Sequence, residues 1–282
     1  MNPRVSVLMT AFNRAEFIGE AIESVKSSLY PNWELIITDD GSTDQTVQIV
    51  EELVKSDHRI KFFINKNNLG DYPNRNYAAS LASGEFLLYC DSDDAIFPDS
   101  ISYLLELAEQ YPERHLFMRS QGKIVESIDP EPALRMHFFQ KQFLFYGPGA
   151  MFIRKSFFYE NGCFPVKYGP ANDMYFTLKL VSKAGVVIHP KRTNFYRIHE
   201  GQERNNEKRY LIENYRYMRD ALNEIYFPFK KKEISWLKKK NNRRFIVNLW
   251  CYFRKNKNLL EIFEIWRKAE FSFSKFLSGV FN

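Results

Sequence analysis

The first 112 residues alternate short apolar runs with segments whose apolar residues recur every three or four positions. The apolar runs are rich in β-branched and aromatic residues and predict buried strands; they are VSVLMTA, WELIITDD, IKFFIN and EFLLYCD. The segments between them predict amphipathic helices, which begin at EFIGEA, STDQTV, YPNRNY and PDSISY. Strands that alternate with helices over short links predict βαβ units and an α/β fold with a mostly parallel, Rossmann-like sheet.

Local signals set the expected ends of three of these helices. Ser42 or Thr43 is expected to cap the second helix, and Gly84 to close the third. Pro98 and Asp99 are expected to begin the fourth helix. From Leu116 to Arg197 the pattern is mixed, with short strands predicted at HLFMRS, AMFIRK and GVVIHP. The last part predicts a helical appendage, in which LLEIFEIWRKAEFSFSKFLSGVF has apolar residues at helical steps throughout.

Acidic side chains follow two of the predicted strands directly. Asp39 and Asp40 end the second strand, and a cluster of three carboxylates ends the fourth. Ligands of parallel sheets bind beyond the carboxyl ends of the strands, so we expect these groups to face a ligand crevice. Asp91 and Asp93 suit Mg²⁺ or Mn²⁺ held against a diphosphate, since phosphate oxygens complete the coordination. The alternatives are acids that cap a helix and an ordinary Asp-Gly turn.

Four segments, in this order and at this spacing, resemble the nucleotide-binding half of the family 2 inverting glycosyltransferases, which have the GT-A fold. They are PRVSVLMTAFNRAEFIGEAIESVKSS, WELIITDDGSTDQT, NKNNLGDYPNRNYAASLASGEFLLYCDSDD and PDSI. The resemblance is close over residues 3–115 and looser to about residue 200. It implies a catalytic domain at 1–201, with a nucleotide-binding half (1–115) and an acceptor half (116–201), followed by a separate helical region at 202–282.

The resemblance also implies roles for individual residues. The donor would be a nucleotide-sugar, most often UDP-linked, bound with Mn²⁺ or Mg²⁺ by residues that line the base, the ribose and the diphosphate: Thr10, Ala11, Phe12, Asp39, Asp40, Arg75, Asp91 and Ser92. The implied metal ligands are Asp93 first, Asp91 near the ribose and His199, with Asp94 alongside. The acidic motif in YGPANDMYF maps the catalytic base onto Asp173, with Asn172 where the family usually has its first acid.

Each of these roles has a simpler alternative. Arg75 and His199 are then solvated side chains, and Asp173 is an acid of a first helical turn. The QxxRW motif of processive synthases is absent, so we expect a hexosyl- or N-acetylhexosaminyltransferase that adds one sugar per encounter in polysaccharide synthesis. A sugar nucleotidyltransferase would need a glycine-rich basic loop after the first strand, and TAFNRAEF has no glycine. A catalytically inactive nucleotide-sugar-binding protein stays open because of Asn172.

Charge is spread unevenly over the 282 residues. From Gln202 onward there are 19 Lys and Arg against 9 Asp and Glu, and before it 21 against 25. Basic clusters beside aromatic residues fit an anionic membrane surface, which would suit a lipid-linked acceptor. The alternatives are packing on the catalytic domain and a homodimer; no nucleic-acid motif is present.

The cysteines and the apolar runs bear on location. Cys90, Cys163 and Cys251 have no CxxC spacing, which predicts reduced thiols and no zinc site. The chain shows no signal peptide and no apolar stretch long enough to span a bilayer. We therefore expect a cytoplasmic protein, peripheral on the inner face of the cell membrane.

Overall fold

The computed structural model describes residues 5–199 and 206–280, and a mostly parallel sheet forms its centre. The strands are β1 (Val5–Ala11), β2 (Trp33–Asp39), β3 (Ile60–Ile64), β4 (Phe86–Tyr89), β5 (Ala95–Ile96), β6 (Leu116–Arg119), β7 (Glu126–Ile128), β8 (Met151–Arg154), β9 (Val186–His189) and β10 (Asn194–Phe195). Eight of them form one sheet in the order β3-β2-β1-β4-β8-β6-β9-β7, while β5 and β10 form a separate ribbon. Strands β7 and β8 run opposite to the other six.

Helices flank the sheet, as the sequence predicts. They are α1 (Ile18–Lys26), α2 (Thr46–Val54), α3 (Asp71–Leu81), α4 (Ser100–Gln110), α5 (Pro130–Arg135), α6 (Lys155–Glu160), α7 (Asn172–Ala184), α8 (Glu207–Glu224), α9 (Lys231–Asn256), α10 (Leu259–Lys268) and α11 (Phe273–Val280). The α/β fold class with C-terminal helices is therefore confirmed. The predicted boundary between residues 201 and 202 lies outside the described residues, and the division into domains stays a prediction.

Side chains of alternate residues on β1 enter different core clusters. Val7 and Met9 pack in the cluster that includes apolar residues of α1 and α4, whereas Leu8 packs in the cluster that includes residues of α3 and α7. Helices thus cover both faces of the sheet, which explains why the strands read as continuous apolar runs.

The parallel register brings the ends of the strands to one edge. Ala11 at the end of β1 pairs with Asp39 at the end of β2. On the other side of β1, Leu8 pairs with Tyr89, the last residue of β4. The loops that follow β1, β2 and β4 therefore leave the sheet at the same edge.

Two predicted helix ends are wrong, and a third is confirmed. Helix α2 starts at Thr46, because Ser42 and Thr43 donate their hydroxyls to Asp39 and Asn13, and Asp44 Oδ1 accepts the N–H of Thr46 instead. Helix α3 ends at Leu81, three residues before Gly84, whose N–H is bound by Ser6 Oγ of β1. Helix α4 begins at Ser100 with Asp99 at its N-cap position, as expected, although the Asp99 carboxylate pairs with Lys191 Nζ at 2.6 Å and does not cap the helix.

The basic tail differs from its prediction in two ways. The segment LLEIFEIWRKAEFSFSKFLSGVF forms two helices, because the chain turns through Glu270, whose φ is +53°. The charged stretch before it, for which no helix is predicted, forms the 26-residue helix α9. Leu237, Phe245 and Leu249 are buried on one side of α9. Among the described residues, no helix is both long enough and apolar enough to cross a bilayer.

A buried carboxylate joins the other ends of β1, β2 and β4. Glu34 accepts hydrogen bonds from Ser6 Oγ at 2.6 Å and from Ser83 N and Oγ at 2.7 Å, and it pairs with Lys61. Burial opposes ionisation, but these hydrogen bonds outweigh it and lower the pKa of Glu34 to about 2. The ionised form therefore stabilises the fold above the unfolded-state pKa of about 4.3.

Replacing Glu34 by glutamine is expected to cost about 2 kcal/mol of folding free energy at pH 7. The cost should shrink as the pH falls from about 5 to 2, where the wild-type carboxylate becomes protonated. Urea unfolding of both proteins across this range measures the difference. A difference that does not change with pH would show that the charge of Glu34 contributes nothing.

Candidate functional site

The turn after β2 is organised by Asp39. Its Oδ1 accepts the backbone N–H groups of Gly41 and Ser42 at 3.0 and 2.8 Å, and its Oδ2 accepts the hydroxyl of Ser42. Ser42 Oγ in turn accepts the N–H of Asn13, a non-glycine residue with φ +52° in the loop after β1. Asp39 therefore supports the turn, as the resemblance implies, and holds two loops together.

Asp40 anchors the segment that leads into α3. Its Oδ1 accepts hydrogen bonds from Asn65 Nδ2 at 2.8 Å and Leu69 N at 2.7 Å, and its Oδ2 accepts Gly70 N at 2.8 Å. Gly70 has φ +88°, a conformation that favours glycine. A carboxylate has about four acceptor positions, so one remains for a ligand such as a base N–H.

The residues expected to line the base lie at the end of β1. Thr10 is half-buried, Ala11 is buried, and Phe12 is 45% exposed at the sheet edge. Ser92 is buried and donates its hydroxyl to Thr10 O at 2.8 Å. The loop after β4 is thus tied to β1 beside an exposed aromatic ring, which offers a stacking surface for a base.

Arg75 is a buried cation between two carboxylates. Its Nε contacts Asp71 Oδ1 at 2.7 Å, and its Nη1 contacts Asp91 Oδ1 at 2.5 Å. Its guanidinium also lies 5.8 and 5.9 Å from the ring centroids of Tyr72 and Tyr89. The simpler reading of Arg75 as a solvated side chain is therefore wrong.

Asp93 and His199 lie in contact. His199 Nε2 is 2.9 Å from Asp93 Oδ2, which is also 3.2 Å from Arg14 Nε. The imidazole ring stacks on Phe17, with a centroid distance of 4.9 Å. Two metal ligands implied by the resemblance are thus brought together, whereas the third, Asp91, has one oxygen on Arg75.

The pair fits a divalent cation that is shared with a ligand. Within residues 5–199 and 206–280, no group of three or more His, Cys, Asp or Glu is arranged to hold a metal alone. A cation that also binds phosphate oxygens needs only one or two protein ligands, and Mn²⁺ accepts both carboxylate and imidazole. Asp93 and His199 provide that donor set.

The segment that carries His199 is fixed to the loop after β4. Arg197 donates its backbone N–H to Asp94 Oδ1 at 3.0 Å and its Nε to Asp93 O at 3.0 Å. Its Nη2 reaches Glu20 at 2.7 Å. Asp94 is buried, and its pKa is raised to about 7 by desolvation and by the nearby charge of Asp91.

Asp173 lies in the first turn of α7 and is buried. Desolvation raises its pKa to about 7, against the lowering effects of the Met174 N–H, a hydrogen bond from Tyr72 and the charge of Arg75. A carboxylate with a pKa near neutrality is suited to take up a proton. Because Tyr72 and Arg75 belong to α3, the base predicted in the second half of the chain contacts the nucleotide-binding half.

Asn172 has a structural role in the turn before α7. Its Oδ1 accepts the N–H of Tyr168 at 2.9 Å, and its Nδ2 donates to Gly169 O at 2.8 Å. Gly169 has φ +48°, and this pair of hydrogen bonds closes the turn around it. An amide serves both bonds, whereas an ionised acid would place a negative charge against Gly169 O.

Comparison with known proteins decides the family. The model of the family described as Glycosyl transferase family 2 matches residues 6–171, more than half of the chain. The chain belongs to glycosyltransferase family 2. The family expected from the four sequence segments is therefore confirmed. The matched range includes those residues of the site described above that lie between Thr10 and Gly169.

One curated relative of this family 2 chain is the GalNAc(5)-diNAcBac-PP-undecaprenol beta-1,3-glucosyltransferase of Campylobacter jejuni. It is 37% identical over 109 residues, which are 38% of this chain and 35% of that protein. The chain spans less than half of the length of the first curated relatives that it matches.

Solved structures of glycosyltransferases share the fold. S. aureus TarS 1-349 in complex with UDP-GlcNAc superposes with a TM-score of 0.73 at 20% identity, over 98% of this chain and 81% of that chain. The mannosyltransferase PcManGT of Pyrobaculum calidifontis, in complex with GDP-Man and Mn2+, gives a TM-score of 0.67 at 16% identity, over 96% and 80% of the two chains. The GT-A fold of this family 2 chain is thereby confirmed.

Sequence reasoning did not single out four residues of the site. They are Arg14, Asp71, Tyr72 and Arg197. One of them carried a usable signal, because Asp71 precedes Arg75 by four residues, which predicts an ion pair on a helix. The other three act on partners far away in the sequence, and no local pattern marks them.

Proposed function

We propose that this chain is a metal-dependent inverting glycosyltransferase. It would move one sugar from a nucleotide-sugar, most often UDP-linked, to a hydroxyl of a glycan or a lipid-linked acceptor in cell-surface polysaccharide synthesis. The supporting observation is that Asp173, whose pKa burial raises to about 7, is hydrogen-bonded to Tyr72 of α3 and is influenced by the charge of Arg75, the partner of Asp91. A base and a cation for the leaving group are the two elements that displacement at an anomeric carbon needs.

In the proposed reaction Asp173 accepts the proton of the acceptor hydroxyl as that oxygen attacks the anomeric carbon. The bond from the anomeric carbon to the diphosphate breaks in the same step, and attack from the opposite side inverts the configuration. Arg75 stabilises the negative charge that develops on the departing diphosphate. The loops held by Asp39 and Asp40 orient the nucleoside, which lowers the entropic cost of the encounter.

Asp93 and His199 are the residues that would hold Mn²⁺ or Mg²⁺, with Asp91 near the ribose. A bound divalent cation supplies positive charge that stabilises a diphosphate leaving group. In this proposal Arg14 balances the charge of Asp93 and orients its carboxylate. Arg197 keeps Asp93 at the site through its backbone carbonyl.

The names of related proteins support the choice of substrates. The Campylobacter jejuni relative is named as acting on an undecaprenol-linked glycan, and a TarS structure contains UDP-GlcNAc. We therefore propose a hexose or N-acetylhexosamine donor and a peripheral position on the inner face of the membrane, where such acceptors are reached. The division into a catalytic domain (1–201) and a helical region (202–282) belongs to the same proposal.

A thermal-shift panel tests the donor site. A UDP-sugar at about 100 times its dissociation constant, with Mn²⁺, should add about 2.7 kcal/mol and raise Tm by about 5 °C. Asp93→Asn should lose the effect of Mn²⁺, while Asp57→Asn, a carboxylate paired with Arg59, should keep it. Stabilisation by nucleotides with no transfer of the sugar and no release of UDP would instead favour an inactive binding protein.

The pH profile of transfer tests the base. Because Asp173 must be ionised to accept a proton, kcat is expected to rise about tenfold per pH unit below pH 7 and to level off above it. Initial rates of UDP release, measured between pH 5 and 9 at saturating donor and Mn²⁺, define this acidic limb of the pH profile. A rate that is constant from pH 5 upward would exclude a base with the pKa of Asp173.

A further inference from the structure

Helix α9 carries a stripe of exposed basic and apolar side chains on one face. We call this set the outer stripe of α9; its members recur at steps of three and four residues: Lys232, Trp236, Lys240, Arg243, Val247, Trp250 and Arg254. Trp236 is 48% exposed and Trp250 is 59% exposed. Lys240 Nζ lies 4.8 Å from the centroid of the Trp236 ring, so cation and aromatic ring are interleaved along the stripe.

The opposite face of α9 packs against the rest of the protein. Leu237 packs in the cluster that includes residues of α3 and α7. Phe245 and Leu249 pack with Tyr215 of α8 in a second cluster, which we call the C-terminal cluster; its buried members are Ile212, Tyr215, Phe245, Leu249, Ile265, Ala269 and Phe271. Asn241 on the same face donates to Tyr215 O at 3.2 Å. The expectation that the tail packs on the rest of the protein thus holds for this face. On the outer stripe, Trp236 also stacks on Phe139 with a centroid distance of 5.7 Å, but this packing leaves about half of its ring and the other stripe residues exposed.

The positive charge of α9 is not neutralised within the described residues. The helix contains nine Lys and Arg but one acid, Glu233, which pairs with Arg135. Of the nine, only Lys255 has an ion-pair partner inside residues 5–199 and 206–280, namely Glu207. Eight basic side chains on one helix repel one another unless an anionic surface or counterions compensate them.

Exposed apolar residues lie on the two helices that follow α9. Helix α11 lies against α9, with Gly279 so close that an added Cβ would be 2.8 Å from Ile246 Cδ1 and 3.1 Å from Arg243 N. Its other face exposes Phe273, at 67%, and Val280, at 48%. Helix α10, which follows α9 directly, exposes Leu260 at 81% and Phe263 at 70%.

We infer that the outer stripe of α9 is the surface on which this protein docks to an anionic lipid bilayer. This deepens the proposed peripheral location and rests on it. Lys and Arg attract anionic headgroups, and Trp is favoured at the membrane–water interface. The exposed Phe273 and Val280 of α11, which packs beside the stripe at Arg243, match the acyl boundary. A polynucleotide would use the cations and the tryptophans but has no apolar phase for aliphatic side chains, so its chemistry fits this surface less well.

The test is binding of the full chain to vesicles. Vesicles of phosphatidylcholine with phosphatidylglycerol are compared with pure phosphatidylcholine by co-sedimentation. The double variant Lys240→Glu with Arg243→Glu changes the stripe. The matched control, Lys231→Glu with Lys238→Glu, makes the same change of charge at two exposed lysines on the side of α9 away from the stripe, neither of which has an ion-pair partner in the described part of the chain.

Wild type is expected to bind the anionic vesicles at least about tenfold more tightly than the neutral ones. The stripe variant should bind them at least about tenfold more weakly than wild type, and the control within about threefold. Trp236→Ala with Trp250→Ala should also weaken binding, since these rings would enter the interface. Equal losses in the stripe variant and the control would overturn the proposal, because binding would then depend on net charge alone.

Two other results would also overturn it. One is stripe-dependent binding of a single-stranded oligonucleotide without vesicle binding; the other is a stripe-dependent dimer seen by light scattering. Stabilisation by UDP-sugar and Mn²⁺ is measured on the same variants without vesicles. If the ligand stabilises the protein but vesicles are not bound, the docking surface is wrong and the transferase proposal stands. If vesicles are bound but the ligand does not stabilise the protein, the docking surface stands and the transferase proposal is wrong.

Discussion

Replacement of Asp173 by asparagine is expected to lower kcat about a thousandfold while donor binding is retained. The amide has nearly the shape of the carboxyl group and can accept the Met174 N–H, but it cannot take a proton from an acceptor hydroxyl. Because Asp173 is proposed to act on the acceptor, the Tm shift with UDP-sugar and Mn²⁺ should stay within about 1 °C of the wild-type shift.

A stability measurement separates this loss from misfolding. The raised pKa of Asp173 means that the folded state holds its proton more tightly than the unfolded state does. Wild type should therefore lose stability relative to Asp173→Asn as the pH rises from about 4 to 7, and at pH 8 the variant should be at least as stable. Turnover at more than about a tenth of the wild-type rate would rule out Asp173 as the base.

Replacement of Arg75 by glutamine is expected to change both the activity and its pH dependence. Arg75 lowers the pKa of Asp173, so its loss should move the acidic limb of the kcat profile above pH 7. The charge of Asp91 would also lose its partner, and the leaving diphosphate would lose a cation, so kcat should fall about a hundredfold even at high pH. Folding stability should fall by about 3 kcal/mol, because a partly buried ion-pair network loses its centre.

The matched control is Arg59→Gln. Arg59 also pairs with an aspartate, Asp57, and lies over Trp33, but it lies at the start of β3, at the opposite end of that strand from the site. This variant should lose some stability and keep both kcat and the pH limb. Arg75→Lys gives a second comparison, because lysine retains the positive charge but lacks the planar guanidinium group that binds two carboxylates at once. An unchanged limb in Arg75→Gln would show that Arg75 does not act on the base.

Several parts of the site follow from sequence because they depend on order along the chain. A carboxylate that directly follows a strand of a parallel sheet lies at the ligand edge wherever that strand is placed, which is why Asp39 and Asp91 are found there. The partners of these groups do not follow. Asp40 satisfies three donors of the segment 65–70, and Asp93 meets Arg14 from the loop after β1.

Helix ends show the same limit. Ser42 and Asp99 are residue types that cap helices, yet Ser42 accepts the N–H of Asn13 and Asp99 pairs with Lys191, two groups that the fold brings from elsewhere. The break between α10 and α11 is also invisible in the periodicity, because apolar steps of three and four continue across it. Packing of Ile265, Ala269 and Phe271 in the C-terminal cluster favours a turn there over one long helix.

The sequence by itself determined the α/β architecture, the family and the strand ends at which chemistry would occur. These follow from periodicity and from motifs whose residues are neighbours in the chain. Only the tertiary structure decided that Arg75 is buried between two carboxylates and that Asp173, about a hundred residues away, shares its electrostatic environment. It also decided which face of α9 is left outward. Burial and charge pairing depend on distances in space, and a linear pattern records them only when the partners lie within a few residues.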